Sequence, residues 1–439
     1  MLSALLIARA IESGEFTPTQ AIDLCANAIA EREKDVGAFV TLDLEGARKA
    51  AVAPGLKGKP LRGLPVALKD IFDTADMPTE YGSPIYPDYR PKMDASLVAM
   101  IRRVGGTLIG KTVTTEFAYF HPGPTRNPHD HARTPGGSSS GSAAAVAAHM
   151  VPLALGTQTN GSVIRPAAFC GVFAVKPTHG LVSRAGVLQL SRKLDHIGAF
   201  ARSLPDLALI LDVLAGYDPA DPDTRPFASA DFRAVQSENP PASPHFAFVP
   251  TPVWNKAEAE TKAAFEELVT ALGPAVAMVE LSAPFTEAWD TQRTIMATEM
   301  AHNLAPLVAR GKPSEVMQRL LAEGGRTSAV AYFDALDKSS RYAASLAEIF
   351  DQYDAIITPA APGVAPEGLS ATGDPAFCTL WTLTGLPALS LPLFAGESGL
   401  PIGVQLVGGP GRDARLLRTA TALIAMLAPS KKRARRPRA

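Results

Sequence analysis

Residues 135–146 read PGGSSSGSAAAV and run on as AAHM. Glycine permits a tight turn and serine suits a helix start, so this stretch reads as a loop entering a helix. The helix is built almost wholly from alanine and other small residues, which leaves little to hold its neighbours away and requires tight packing. The same loop suits acyl transfer, because serine hydroxyls beside free backbone N–H groups can supply both a nucleophile and donors for a developing negative charge.

Around this block, short apolar runs alternate with helical patterns, the signature of an α/β domain. The runs are PVALKD, GTLIGK, VPLALG and FAVKP. Two helices open the chain, to about Glu33; in TPTQ, Thr17 caps the second, Pro18 takes its first position and Gln20 completes a capping box. From about Asp218 the connectors DPADPDTRPF and SENPPASP are rich in Pro and Asp and read as surface segments. A strand candidate HFAFVP follows, with a helix from about Asn255 to Leu272 and a helical stretch from about Ser328 to Tyr353. Residues 220–350 therefore form a variable, partly helical side region. The runs DAIITP, PALSLP and IGVQLVG then return to strand character before a last helix from about Asp413 to Leu427.

With 439 residues, 46% hydrophobic and 19% charged, and with 35 Gly and 38 Pro, the chain is a soluble, loop-rich globular protein rather than a fibrous or disordered one. Its formal charge is −1, yet Lys431, Lys432, Arg433, Arg435, Arg436 and Arg438 crowd residues 431–439. Setting those six aside from −1 leaves −7 on the remainder. A basic tail on a mildly acidic body reads as a solvated, frayed terminus, and neither nucleic acid nor membrane is expected as a partner. Cys25, Cys170 and Cys378 are far apart and unpaired in spacing, which excludes a disulfide framework and fits a reducing cytoplasm. The opening apolar stretch meets Arg9 and Glu12 too soon for a signal peptide or a membrane span.

Three motifs compete for attention. GGTLIGKT, Gly105–Thr112, fits the phosphate-loop pattern, but the helix-like LVAMIRRVGG precedes it and TLI is itself strand-like, the wrong order for that loop. GSSSG, Gly137–Gly141, fits the nucleophile elbow of α/β-hydrolase esterases with Ser139 as nucleophile; HARTPGG supplies no strand before it, and only His179 and the Asp195–His196 pair offer triad partners. His121, His129 and His131 could be read as metal ligands, but their spacing is not helical and surface-loop histidines are the commoner case; no metal is expected.

A second serine loop, GTQTNGS, follows the strand VPLAL and ends in Ser162. Upstream, Lys69 closes the run GLPVALK, where partial desolvation would lower its pKa and make it a base. Alone, that position equally suits a lysine reaching out from a strand end, and spacing does not bring Lys69, Ser138 and Ser162 together.

GLPVALKDIFDT, the long block from TPGGSSSGSAAAV to KPTHGLVS, and GLPALSLP with GLPIGVQLVG resemble the amidase signature family from Leu2 to about Leu427. The resemblance implies a single domain over residues 1–430, a large mixed β-sheet core surrounded by α-helices, and a catalytic set of Lys69, a cis-peptide Ser138 and a nucleophilic Ser162. It further implies an oxyanion hole from the backbone of Thr159, Asn160, Gly161 and Ser162, support from Ser139, which orients Lys69, and from Gln158, no cofactor, and a small-molecule amide substrate; it is compatible with a homodimer. Ser140 and Ser142 are left to cap the helix. The chain departs from the family where Gln158 replaces the usual Asp and where Asn160 and Ser140 replace Gly. The segment SVIR places an arginine at 165, which, with ATGDP before LWTLTG, looks closest to bacterial malonamidase. There the matching arginine binds a substrate carboxylate. The expectation is therefore an amidase acting on a carboxylate-bearing, malonamate-like amide, or alternatively on neutral aliphatic or aryl amides, with Arg165 either gripping a carboxylate or bracing its loop through a buried ion pair.

Overall fold

The computed structural model describes residues 3–226 and 230–428, so the basic tail lies outside the described residues. Eleven strands form one sheet: β1 (Phe39–Leu42), β2 (Pro65–Lys69), β3 (Thr107–Thr112), β4 (Leu153–Gln158), β5 (Phe173–Lys176), β6 (His196–Ala201), β7 (Phe246–Phe248), β8 (Val276–Met278), β9 (Ala355–Pro359), β10 (Ala388–Ala395) and β11 (Pro401–Val407). Their spatial order is β1-β3-β2-β4-β6-β5-β10-β11-β9-β7-β8. β2 runs parallel to β3 and β4, and β7 parallel to β8 and β9, while β4–β6, β5–β6, β5–β10, β10–β11 and β9–β11 are antiparallel. The mixed α/β architecture is as expected, with helices on both faces of the sheet.

The two-residue period of the strands decides which face each helix can occupy. Val66, Leu68, Leu153 and Leu155 enter one apolar cluster, shared with the helix Leu204–Leu214. Ala67 and Ala154 enter the other, shared with the helices Pro18–Val36 and Ser140–Ala147. Alanines on that face let the small-residue helix approach closely. At Gly141 an added Cβ would lie 2.2 Å from the Ala38 carbonyl oxygen, and at Gly156 it would lie 2.6 Å from Ser139 Oγ.

The capping box forms: Thr17 Oγ1 accepts from the Gln20 N–H and Gln20 Oε1 accepts from the Thr17 N–H. The first long helix of the side region starts at Ala259 rather than Asn255, because residues 254–256 form a separate 3₁₀ turn. The side region also joins the main sheet, contributing β7 and β8 to one edge. Its longest helix, Ala288–Val308, carries Pro306 near its end and escapes the sequence pattern, as do β1, β6 and the helix Leu204–Leu214. Among the described residues no helix is long and apolar enough to cross a membrane. All three cysteines are buried and free.

Candidate active site

Lys69 ends β2 and is fully buried. Its Nζ lies 2.7 Å from Ser138 Oγ and 2.9 Å from Thr157 Oγ1, two hydroxyls that arrive from different elements. Burial holds the amine well below the ordinary lysine value of 10.5, while the negative charge of Asp195 acts in the opposite direction. A neutral amine in contact with hydroxyls can accept a proton from one of them. Ser138 follows a cis peptide bond with Gly137 and sits just before the helix Ser140–Ala147. Sequence reasoning missed Thr157. No local pattern marks it, because its contact with Lys69 joins two strands that pair across 88 residues of sequence.

The loop after β4 carries the other serine. Ser138, Thr159, Asn160, Gly161, Ser162 and Arg165 line one narrow pocket, closed by Tyr119, Phe120, Leu190, Met296 and Met300. Gln158 shapes this loop: its Oε1 accepts from the N–H groups of Val163 and Ile164 at 2.8 and 2.9 Å, and its Nε2 donates to Thr382 Oγ1. Thr382 in turn donates to the Asn160 carbonyl, and the Asn160 side chain accepts from Thr379 Oγ1. These ties fix the loop from outside. Among the described residues, no group of the chain accepts from the backbone N–H of Asn160, Gly161 or Ser162. Backbone donors left without a protein acceptor are what an oxyanion site requires.

Arg165 is buried on the helix Ile164–Cys170, and burial lowers its pKa to about 10. Nη2 donates to the Gly137 carbonyl at 2.7 Å and to Thr372 Oγ1, and Nη1 donates to the Gly373 carbonyl. Nε has no acceptor, and the guanidinium lies 5.6 Å from the Phe120 ring centroid. The expected ion-pair brace is therefore replaced by a brace on carbonyls. It clamps the carbonyl of the cis peptide itself.

Other expectations need correction. Ser139 does not touch Lys69; its Oγ donates to the Thr157 carbonyl and accepts from the Thr157 N–H, so it reaches the lysine only through Thr157. Ser140 and Ser142 do not cap the helix: Ser140 Oγ donates to the Val113 carbonyl, and Ser142 Oγ bonds the Leu155 carbonyl and Thr112 Oγ1. Ser138, Ser139, Ser140 and Ser142 thus fasten one helix start to β2, to β4 and to the end of β3. An esterase elbow on Ser139 does not form, since His196 Nδ1 is on the Leu194 carbonyl, His179 Nε2 on the Arg192 carbonyl, and the Asp195 carboxylate on Thr159, Leu190 and Ser191.

The phosphate-loop pattern is likewise taken apart by the fold. The helix Ser96–Arg103 ends before it, Gly105 turns at φ +85°, and Thr107–Thr112 is β3, so the order is helix then strand. Lys111 Nζ is buried against Asp70, Thr79 Oγ1 and the Pro78 carbonyl. His129 bonds the Cys170 carbonyl, and among the described residues no cluster of three potential metal ligands occurs.

Comparison with known proteins places this geometry in context. The amidase family profile matches residues 20–417. The chain is 34% identical to the A subunit of glutamyl-tRNA(Gln) amidotransferase from Chloroflexus aggregans, covering 94% of each chain, and equally so to the one from Thermus thermophilus. Among solved structures it resembles 6-aminohexanoate cyclic dimer hydrolase, at 28% identity and a TM-score of 0.87 over 98% of this chain and 97% of that one. It also resembles the peptide amidase of Stenotrophomonas maltophilia, at 29% identity and a TM-score of 0.82 over 95% of both.

Proposed function

The chain belongs to the amidase family, and from that premise we propose that it hydrolyses the C–N bond of a small amide through an acyl-enzyme on Ser162. The observation that carries the reading is the buried 2.7 Å contact between Lys69 and Ser138, with Ser138 and Ser162 lining one pocket. Neutral Lys69 accepts the Ser138 proton as Ser138 Oγ takes that of Ser162, and Ser162 Oγ attacks the amide carbonyl. The oxyanion is received among the N–H groups of Thr159, Asn160, Gly161 and Ser162, each such donor worth roughly 3 kcal/mol of barrier. The relay then runs backwards, protonating the nitrogen as the C–N bond breaks and ammonia or an amine leaves. Water, deprotonated along the same path, cleaves the ester and releases the carboxylate. These steps use no cofactor.

The pocket wall supports an uncharged acyl group. Tyr119, Phe120, Leu190, Met296 and Met300 are apolar or present rings, and the Arg165 guanidinium is already committed to two carbonyls and Thr372. A malonamate-like substrate is the second reading, favoured by the place of Arg165 in the pocket wall and by its unpartnered Nε. A matched pair decides between them: an amide with a free terminal carboxylate and its neutral counterpart, on wild type and Arg165→Ala. Under the first reading both lose kcat/KM alike, because the brace on Gly137 is gone. A loss of roughly 2 to 4 kcal/mol confined to the acid would establish the second. Glutamine belongs in the same panel, given the amidotransferase relatives.

A further inference from the structure

Asp195 is a buried carboxylate whose hydrogen bonds end on, or one residue from, the walls of the nucleophile pocket. Oδ1 accepts from Thr159 Oγ1 at 2.6 Å, and Oδ2 accepts from the N–H groups of Leu190 and Ser191 at 2.8 and 2.9 Å. Thr159 and Leu190 both line the pocket around Ser162. The placement follows from the sheet: β6 begins one residue after Asp195 and pairs antiparallel with β4, His196 against Gln158 and Ile197 against Thr157. Asp195 therefore continues the ladder opposite Thr159, two residues from the Thr157 hydroxyl that holds Lys69. Asp195 and Thr157 also line a common cavity of about 780 Å³.

Building on the proposed amidase mechanism, we propose that Asp195 is a positioning residue that holds the nucleophile loop through Thr159 and supplies the negative charge against which buried Lys69 exchanges its proton. Its burial raises its own pKa to about 6, so the carboxylate is charged at neutral pH. Of the charged groups near it, Lys193 is held below its ordinary pKa by burial, and the rest are engaged elsewhere. Arg184, which also reaches the Asp195 carbonyl, is paired with Asp221 and Asp223. Glu299, on the helix Ala288–Val308, takes hydrogen bonds from Ser191 Oγ, the Lys193 N–H and Tyr332. His179 and His196 are held neutral by burial, and Lys176 is turned onto the Leu386 carbonyl.

The sign follows from charge alone. An anion near Lys69 favours its protonated form, so removing the anion lowers the pKa of the amine and frees the base at lower pH. In the pH profile of kcat/KM for a neutral amide, Asp195→Asn is expected to move the rising limb about one unit to lower pH. Its plateau should fall at the same time. Asp195→Glu should return the limb towards its wild-type position. Thr159→Val, which keeps the charge and breaks the tie, should lower the plateau about tenfold and leave the limb in place. A limb that stays put in Asp195→Asn, or shifts equally in Thr159→Val, overturns the electrostatic role. Should Asp195→Asn not fold, an unchanged plateau in Thr159→Val overturns the proposal by itself. Wild type that turns over no amide would instead remove the mechanism on which this rests, a different outcome from an active enzyme whose limb ignores Asp195.

Discussion

At the scale of single residues, the mechanism turns on a lysine whose pKa burial lowers well below its ordinary value. Lys69 is enclosed with no water-facing surface, its partners are two hydroxyls, and its amine sits well below 10.5. A protonated Lys69 cannot accept the Ser138 proton, so activity falls as pH drops through that lowered pKa and is full above it. A rate flat from acid to alkaline pH would remove Lys69 from the mechanism. Lys69→Ala should cut kcat by about 10³-fold, as loss of a general base does, measured with a neutral amide at the wild-type optimum. The sequence located Lys69, Ser138 and Ser162 through a resemblance carried by long motifs. Thr157 and Asp195 stayed hidden in their roles because each acts through a contact between strands distant in sequence, which local patterning does not register.

At the scale of elements, Ser138 and Ser139 are held by close packing around β4. Gly156 is where the helix Ser140–Ala147 meets that strand, and a side chain there would press on Ser139 Oγ from 2.6 Å. Gly156→Val should destabilise by roughly 1–3 kcal/mol through overpacking and should depress activity further than stability alone explains, because Ser139 holds Thr157. Denaturant unfolding beside kcat/KM separates the two effects. Gln158 is the other fastener. Gln158→Ala leaves two buried N–H groups without their acceptor and should cost about 3 kcal/mol in the same measurement. A neutral result would mean that the loop is held by Thr379 and Thr382 alone. Strands with continuous apolar runs, such as PVALK and LALGTQ, were legible because they are buried on both faces. The strand HIGAFA was not, since it opens on a histidine and carries a glycine, and its place is set by pairing with β4 and β5.

At the scale of the whole molecule, the side region shares the main sheet: β7 pairs with β9 as well as β8. Trp254 and Trp289 lie in that region and Trp381 in the buried helix Ala376–Leu383, so in a Trp381→Phe variant tryptophan fluorescence reports on the side region while far-UV circular dichroism reports on the full sheet. The two thermal transitions should coincide. An earlier fluorescence transition would show a separately folding unit. The breakdown of the phosphate-loop pattern also predicts that ATP with Mg²⁺ shifts neither melting temperature nor activity. The central claim for the molecule is that its nucleophile is Ser162, lifted into the pocket by the loop after β4 and activated through Ser138 and Lys69. Peptide mass spectrometry after treatment with a fluorophosphonate or a slow amide tests it most directly. The account predicts a covalent adduct on the peptide bearing Ser162, lost in Ser162→Ala and retained in Ser139→Ala; an adduct on Ser139 with Ser162 unmodified would contradict it.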